Sequence, residues 1–312
     1  MLYLTEAEVR ALLPMPVCIE IMRDTFGSLA EGKAVNQPRR RLHLPTGAVL
    51  HQMAGAVGDY FGTKLYSTHP KHGAHFWFHL FDAKTGEPVA LMEANWLGQI
   101  RTGATSGHAT NLLARPDSAV VGVIGSGFQA RSQVEAMLCV RAIQRVYVWS
   151  RNEHRRKSFA EECGQAFGAA VEAVESAEQA VGEADIVITA TFAKDPVLEE
   201  AWIRPGTHIN AIGSNNPQRR ELPPGLIARA DLIVVDSLEQ AQMESGDLLL
   251  AWTAEDWKSA RVMELKDAPA RRRHPEQLTI FKSNGLGVED VAAGAYVYEK
   301  ARAEGAGRRL YS

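Results

Sequence analysis

The segment of residues 119–130 joins an apolar run to a glycine-rich turn and then to a predicted helix. Gly125, Gly127 and Ala130 occupy the three small positions of a Gly-x-Gly-x-x-Ala pattern. In this pattern the first glycine permits a tight turn, the second lets the backbone approach a pyrophosphate, and the third small residue lets the helix pack on the strand. The helix N-terminus presents N–H groups and a positive dipole end to phosphates. These residues therefore predict that the chain binds a dinucleotide cofactor.

The residues that follow the next predicted strand, at 145–149, bear on the type of nicotinamide cofactor. An acidic residue about 20 residues past the glycines usually binds an unphosphorylated adenosine ribose, but here the strand is followed by Ser150, Arg151 and Asn152. No carboxylate stands there to repel a 2′-phosphate. The guanidinium of Arg151 could donate charge-assisted hydrogen bonds to that phosphate, and its two neighbours add neutral donors. This favours NADP(H), while NAD(H) stays open because the loop could still present Glu153 to a ribose.

From Ser118 onward, strand and helix patterns alternate, which is typical of a parallel sheet with helices on both faces. The predicted strands lie at 119–124, 145–149, 185–190, 208–212, 232–235 and 279–281. Thr191 follows the third of these strands, at the carboxyl edge where ligands bind in doubly wound sheets. The sequence thus predicts a dinucleotide-binding Rossmann domain over residues 113–285.

The first third of the chain has a different texture, with short alternating segments separated by Gly, Pro and Asp. Antiparallel strands are predicted at 39–44, 49–53, 62–68, 75–81 and 89–92. The small residues of 101–109 predict a helix that joins the two halves, and 288–301 has a helical period and is expected to return to the first domain. We therefore expect an α/β protein whose second domain is α+β, built on an antiparallel sheet. It comprises residues 1–112 plus 286–312 and serves substrate binding and dimerisation.

Composition narrows the class of protein. With 312 residues the chain can form two domains with separate cores, and a net charge of -3 gives no general attraction to nucleic acid or anionic membranes. The basic stretch at 271–274 is predicted to be a solvated loop. Cys18, Cys139 and Cys163 lack metal or redox spacing, so no metal is expected. A charged N-terminus and the lack of a long apolar run predict a cytoplasmic protein without a membrane or nucleic-acid partner.

Several motifs occur in order along the chain. They are Lys64 in Gly-Thr-Lys-Leu-Tyr-Ser, the turn from Asp82 to Gly86, Arg101-Thr102-Gly103-Ala104, Gly125-Ser126-Gly127-Phe128-Gln129-Ala130, the strand from Pro205 to Gly213, Arg220-Glu221-Leu222, and Phe281-Lys282-Ser283-Asn284-Gly285. Together they resemble the ornithine cyclodeaminase and mu-crystallin family over nearly the whole chain. The resemblance implies a homodimer built by the N-terminal domain, with a small amino- or imino-acid substrate in the cleft beneath the nicotinamide. It also implies a set of cofactor-binding residues besides the glycines and residues 150–152, namely Thr102, Ser126, Phe128, Gln129, Thr191, Ile212, Arg219 and Ser283.

The same resemblance implies a site for the substrate carboxylate. Members use an arginine on an early strand, a strand lysine and the arginine of the Arg-Thr motif, and counting without gaps places these on Arg40, Lys64 and Arg101. A guanidinium can clamp a carboxylate in a fixed plane, and further cations offset the cost of desolvating it. Arg39 and Arg41 are neighbours, so the choice of the inward arginine among the three stays open.

Two departures from the family pattern bear on the reaction. Where cyclodeaminases carry a glutamate this chain has His51, and where they carry an aspartate it has Asn215. An asparagine amide cannot accept a proton, so the loss of that base argues against conversion of ornithine to proline. The cofactor and the carboxylate clamp suffice for hydride transfer at an α-carbon.

We therefore predict an NAD(P)-dependent oxidoreductase acting on C–N bonds, which reduces small α-imino acids of the ketimine or pyrroline-carboxylate type. Lys64, Arg101 and His51 are the predicted catalytic residues, and Asn215 is expected to line the substrate. The proton for the imine nitrogen could come from the iminium itself, from Lys64, His51 or His69, or from water. Two alternatives stay open: an ornithine cyclodeaminase that releases ammonia, and a non-catalytic NADP-binding protein.

Overall fold

A computed structural model describes residues 1–259, 261–269, 272 and 274–310. The predicted basic loop at 271–274 lies partly outside the described residues, at Arg271 and Arg273. The chain divides into two compact units. The first consists of Met1–Ala104 and Gly285–Ser312, and the second of Thr105–Asn284. The functions assigned to the two domains from the sequence stay predictions.

The strands and α-helices of the described residues have the following bounds. The strands are β1 (Leu2–Leu4), β2 (Ala34–His43), β3 (Val49–Val57), β4 (Tyr60–His69), β5 (Gly73–Asp82), β6 (Pro88–Glu93), β7 (Val120–Ile124), β8 (Arg145–Trp149), β9 (Val171–Ala173), β10 (Ile186–Thr189), β11 (His208–Ala211), β12 (Leu232–Val235), β13 (Val262–Glu264), β14 (Thr279–Lys282) and β15 (Arg308–Arg309). The helices are α1 (Glu6–Leu12), α2 (Met15–Ala30), α3 (Asn95–Leu113), α4 (Phe128–Val140), α5 (Glu153–Phe167), α6 (Ala177–Val181), α7 (Pro224–Arg229), α8 (Leu238–Glu244), α9 (Gly246–Leu249) and α10 (Gly287–Glu304).

The first unit is built on a sheet with the strand order β15-β1-β6-β5-β4-β3-β2. Strands β2 to β6 pair antiparallel, as predicted. Successive side chains of a strand point to opposite faces. On β4 the buried residues Gly62, Lys64 and Tyr66 therefore share one face, called here the inner face, and α10 packs against β3 and β4.

Two glycines allow α10 to lie directly on β3. A Cβ on Gly55 would lie 2.6 Å from the Cα of Val288, and a Cβ on Gly287 would lie 2.6 Å from the backbone nitrogen of Ala54. Real Cβ contacts are essentially never so short, so larger residues would push the helix off the sheet. This close approach brings the first turn of α10 against the inner face.

A bulge in β2 changes which of its residues face inward. Gln37 pairs with Ala54 but Arg40 pairs with Gln52, so two residues of β2 lie opposite one residue of β3. Pro38 lies in the bulge, where a residue without an N–H is tolerated. The extra residue shifts the alternation by one, so that Ala34 is buried before the bulge and Arg39 after it.

The second unit is a parallel sheet with the strand order β13-β12-β14-β11-β10-β7-β8-β9. The order reverses between β7 and β10, which is the switch point of a doubly wound sheet. The central strands β10, β11, β12 and β14 are buried along their whole length. The predicted fold class is confirmed. The sequence missed the short strands β9 and β13, which have three residues each and no fully buried position.

Within the described part of the chain, every helix is too short or too polar to cross a lipid bilayer. The cytoplasmic location stays a prediction.

Candidate active site

Three cationic side chains lie buried in the first unit. Lys64 comes from β4 and is 3% exposed, Arg101 comes from α3 and is 4% exposed, and Arg39 comes from β2 and is 5% exposed. A terminal nitrogen of Arg39 donates a hydrogen bond to the backbone oxygen of Gly285 at 3.3 Å. Gly285 itself has a φ of +78°, and a Cβ there would lie 2.5 Å from a terminal nitrogen of Arg101. A turn that only glycine fits thus lies against the arginines.

The residue predicted to face inward, Arg40, is exposed, and Arg39 is the buried member of the run, while Arg41 is half-buried. The bulge between Gln37 and Arg40 shifts the alternation of β2, so that Arg39 lies on the inner face. Which arginine contacts the substrate stays a prediction.

Two buried carboxylates that the sequence analysis did not identify accompany the cations. Asp290 Oδ1 lies 2.8 Å from Lys64 Nζ and 3.0 Å from Arg101 Nε. Glu289 pairs with a terminal nitrogen of the same arginine. Both acids lie in the first turn of α10, and both are fully buried. The only signal in the sequence was a pair of acids in an apolar helix, which usually indicates charges that complement the helix dipole.

The charges of this cluster do not cancel. Arg39, Lys64 and Arg101 carry three positive charges when protonated, and Glu289 and Asp290 carry two negative charges, which leaves a net charge of +1. Among these five buried side chains the cations outnumber the anions, and an excess of buried cations suits an anionic ligand.

The ammonium of Lys64 is placed to exchange a proton near neutral pH. Burial lowers its pKa to about 7, and the charges of Arg101 and Arg39 act in the same direction, whereas Asp290 opposes them. Gly98 of α3 lies close by, because a Cβ there would be 3.4 Å from Lys64 Nζ. A lysine with a pKa near the operating pH suits general acid–base chemistry.

An aromatic row lies beside the cations on the inner face. The rings of His51 and Tyr66 stack at 4.2 Å, and those of Tyr66 and Phe76 stack at 4.8 Å. Lys64 Nζ lies 6.0 Å from the centre of the Tyr66 ring. The row provides a flat, largely apolar wall next to the buried cations.

His51 is held in its neutral form. Its Nε2 lies 3.0 Å from the hydroxyl of Thr68. Burial lowers the pKa of the imidazole to about 3, and the charges of Arg41 and Arg39 act in the same direction. The imidazole is therefore uncharged at neutral pH, which disfavours an imidazolium at position 51 as the proton source. The catalytic role of His51 stays a prediction.

In the second unit, the loop after β7 has the geometry of a phosphate site. Gly125 has a φ of +114°, and a Cβ there would lie 2.4 Å from the backbone oxygen of Ala190. Gly127 is the N-cap of α4, without a side-chain hydrogen bond to the helix, and a Cβ on it would meet no atom within 4 Å. Phe128 and Gln129 open the helix, and Phe128 is exposed. The open space and the uncapped helix N-terminus fit a pyrophosphate.

The end of β8 carries the residues predicted to contact the adenosine half. The hydroxyls of Ser126 and Ser150 lie 2.8 Å apart, and the Asn152 side chain accepts a hydrogen bond from the backbone nitrogen of Arg155. Arg151 is exposed. The carboxylate of Glu153 lies 2.6 Å from the ammonium of Lys157 on the same helix. Glu153 thus has a cationic partner one helical turn away.

The remaining predicted residues fall on several elements. Thr191 follows β10 and is half-buried, and Ile212 follows β11 and is buried. In the next loop Asn215 is exposed and Arg219 is half-buried. Ser283 follows β14 and is buried, and Thr102 lies buried in α3 of the first unit. All of them except Thr102 belong to the carboxyl edge of the second unit's sheet, where ligands of doubly wound folds bind. Their roles stay predictions.

These features define an α/β protein with a glycine-rich loop of the dinucleotide-binding type in one unit and a buried cationic cluster in the other. Residues 1–305 match the sequence profile of the ornithine cyclodeaminase/mu-crystallin family, and the chain belongs to this family, as predicted.

Relatives with known activities are similar over most of their length. A Delta(1)-pyrroline-2-carboxylate reductase of Bacillus cereus is 40% identical over 236 residues, covering 74% of this chain and 72% of that protein. The structure of the Thermococcus litoralis enzyme of the same name, in complex with NADH and L-proline, matches with a TM-score of 0.94 and 35% identity, covering 99% of this chain and 100% of that chain. An archaeal alanine dehydrogenase dimer with bound NAD matches with a TM-score of 0.91 and 32% identity, covering 100% of this chain and 99% of that chain.

Proposed function

We propose that this protein is an NAD(P)H-dependent oxidoreductase that reduces small α-imino acids, of the ketimine or pyrroline-carboxylate type, to amino acids. The observation that carries the proposal is the buried cluster of Arg39, Lys64 and Arg101, whose net positive charge suits one carboxylate. The flat aromatic row beside it suits a planar ring. Relatives that act on pyrroline-2-carboxylate support the same substrate class.

Different residues of the cluster would bind the substrate and donate the proton. Arg39 and Arg101 supply the positive charge that holds the substrate carboxylate and fixes its plane. A reduced nicotinamide, when bound, supplies the hydride. Reduction of an imine also consumes a proton, and Lys64 holds one at Nζ with a pKa of about 7. Asp290 orients that ammonium from 2.8 Å.

The second unit supplies the residues that would hold the cofactor. The N-terminus of α4, at Gly127, Phe128 and Gln129, would bind the pyrophosphate, and Gly125 gives the turn its shape. We propose NADP(H) as the preferred form, because Arg151 is exposed after β8 and Glu153 is paired with Lys157. A carboxylate that is already paired with a lysine is a poorer hydrogen-bond acceptor for a ribose hydroxyl.

Cyclodeamination is disfavoured by one residue. Asn215 stands where the cyclodeaminases carry an aspartate, and an amide cannot serve as a general base. Net consumption of NADPH, which cyclodeamination does not show, separates the two reactions.

The test follows absorbance at 340 nm with NADPH or NADH. Δ1-Pyrroline-2-carboxylate, Δ1-piperideine-2-carboxylate, and pyruvate with ammonia are the substrates, and oxidation with a cyclic imine is expected. The double variant Lys64→Met/Arg101→Met should lose turnover yet bind NADPH, while Lys84→Met, at an exposed lysine paired with Asp59, should behave as wild type. No oxidation with any substrate would refute the proposal. Ammonia and proline from ornithine would establish a cyclodeaminase, and NADPH binding alone a non-catalytic protein.

We further propose a homodimer formed through the outer face of the first unit's sheet, the face opposite Lys64. This face exposes Val35, Leu42, Leu50, Phe61 and Trp77. Leu42 and Leu50 are cross-strand partners, and the ring of Phe61 stacks on that of Phe81 at 5.1 Å. Exposed apolar side chains on one face of a sheet are a common feature of protein interfaces, and the related archaeal alanine dehydrogenase is a dimer.

A further inference from the structure

A buried carboxylate of the second unit binds the ends of two neighbouring strands. Glu221 is fully buried. One of its oxygens accepts a hydrogen bond from the backbone nitrogen of Thr191 at 2.6 Å. The other accepts from the hydroxyl of Thr189 at 3.0 Å and from the backbone nitrogen of Gly213 at 2.8 Å. Thr189 ends β10 and Gly213 follows β11, so one side chain holds both carboxyl ends.

Gly213, Thr191 and Glu221 pack closely against one another. A Cβ on Gly213 would lie 2.3 Å from the backbone nitrogen of Thr191 and 2.5 Å from Glu221 Oε1. The three donors require acceptors on both side-chain oxygens. A glutamine of the same shape has one oxygen and one NH2 group, so it would place a donor against a donor.

Two further charged residues hold the loop that carries Glu221. Asp247 Oδ1 accepts hydrogen bonds from the backbone nitrogens of Glu221, at 2.6 Å, and Leu222, at 2.9 Å. Its other oxygen lies 3.1 Å from Lys282 Nζ, which donates to the backbone oxygen of Ser214 at 2.6 Å. Asp247 and Lys282 are fully buried. The network therefore also ties the end of β14 to the loop after β11.

The ends of β10 and β11 lie on the opposite side of the switch point from β8, where the adenosine half of a dinucleotide binds in this fold. In this fold the pyrophosphate sits at the helix after the first strand, and the adenosine ribose lies near the end of the second, here β7 and β8. A bound cofactor that spans the crevice would extend its nicotinamide half toward β10 and β11. Thr191 follows β10 and lies against the glycine loop, because a Cβ on Gly125 would be 3.2 Å from the Thr191 methyl group.

We propose that Glu221 is a positioning residue for the nicotinamide half of the cofactor, which it fixes by holding Thr191 and Gly213 in place. Asp247 and Lys282 hold Glu221 in turn. The proposal rests on the proposed use of a nicotinamide cofactor. It predicts that the loss of Glu221 affects one half of the dinucleotide and spares the other.

The experiment compares the binding of whole cofactors with that of their adenosine fragments. Dissociation constants are measured for NADPH and NADH, and for 2′,5′-ADP and 5′-AMP, which lack the nicotinamide. In Glu221→Gln we expect NADPH or NADH, whichever the wild type prefers, to bind at least tenfold more weakly. The matching fragment should bind within twofold of its wild-type value.

Asp185 offers a matched control at the opposite end of β10. Its Oδ2 accepts hydrogen bonds from the backbone nitrogens of Ala119 at 2.8 Å and Val120 at 3.1 Å, so it ties the amino ends of β10 and β7. Asp185→Asn should lower Tm but leave the binding of cofactor and fragment unchanged. Equal weakening of both ligands in Glu221→Gln, wild-type cofactor binding there, or selective weakening in Asp185→Asn would overturn the proposal.

A milder variant decides the question if Glu221→Gln does not fold. Thr189→Val removes one donor to the carboxylate and keeps the shape of the side chain and the buried charges. It should weaken the whole cofactor selectively and to a smaller degree, and unchanged binding would overturn the proposal. A wild type that binds no nicotinamide cofactor would instead refute the proposed function. A wild type that reduces imines, with a Glu221→Gln variant that binds cofactor normally, refutes only the positioning role.

Discussion

Lys64 and Asp290 form a buried ion pair, with Nζ and Oδ1 2.8 Å apart, and the same oxygen lies 3.0 Å from Arg101 Nε. The pair joins the middle of β4 to the first turn of α10. Because Asp290 is shared, the ammonium of Lys64 receives only part of its compensation, and burial together with the neighbouring arginines lowers its pKa to about 7. This environment supports Lys64 among the proton donors that the sequence leaves open.

The pH dependence of imine reduction follows from this pair. If protonated Lys64 is the acid, kcat/KM should fall as the pH rises above about 7. Asp290 raises the pKa of Lys64. Asp290→Asn should therefore move this alkaline limb of the kcat/KM profile to lower pH, by about 1 unit or more for the loss of a contacting opposite charge. Glu289→Gln, which removes a carboxylate bonded to Arg101, should lower kcat/KM but shift the limb less. A limb that stays in place in Asp290→Asn would contradict the assignment.

A second prediction concerns His51. Because its pKa is lowered to about 3, the imidazole keeps one charge state between about pH 5 and pH 9. The pH profiles of wild type and His51→Gln should therefore have the same shape, whatever the change in their height. A wild-type limb near the ordinary histidine pKa of about 6.5 that disappears in the variant would show that the histidine titrates during turnover.

Most strands of both domains and the nucleotide loop could be predicted from the sequence because these features are local. Alternation at 62–68 marks Lys64 as an inward residue, and the glycines at 125 and 127 mark a turn that few other residues permit. The inward arginine among residues 39–41 could not be chosen from the sequence because a bulge reverses the parity of β2, and Pro38 was a local sign of it.

The buried acids were missed for a different reason. Glu289 and Asp290 look like ordinary first-turn acids, and only the close packing of Gly55 and Gly287 buries them. Glu221 was part of a family motif, but its three donors come from two other strand ends. Such contacts depend on tertiary structure and cannot be predicted from the spacing of residues in the sequence.

The arginine assignment can be tested with a matched pair. Arg39→Met removes a buried cation of the carboxylate site, and a charge-assisted hydrogen bond contributes about 1.5–3 kcal/mol, so KM for the imino acid should rise roughly 10- to 150-fold. Arg40→Met alters an exposed residue of the same strand and should leave KM within about twofold, in keeping with the small effect of most surface substitutions. Steady-state kinetics at saturating NADPH measures both. The opposite ranking would place Arg40 in the site.

Cofactor preference depends on the loop after β8. Arg151→Ala should weaken NADPH binding roughly 10- to 150-fold through the loss of charge-assisted bonds to the 2′-phosphate, and NADH binding should change little. Arg145 lies exposed at the amino end of the same strand, and Arg145→Ala should leave both affinities unchanged. Fluorescence titration of the two cofactors measures the ratio. Equal weakening of NADPH and NADH would show that Arg151 does not read the phosphate.

The dimer prediction concerns the outer face of the first unit's sheet. Leu50 is 44% exposed and pairs with Leu42 across β2 and β3. In a dimer formed through this face, Leu50→Lys would bury an unpaired ammonium, which costs several kcal/mol, so light scattering coupled to gel filtration should find a monomer near the chain mass of 34.2 kDa. Leu250 is 48% exposed in the second unit, and Leu250→Lys should keep the wild-type mass of two chains. A Leu50→Lys protein that stays dimeric would move the interface to another surface.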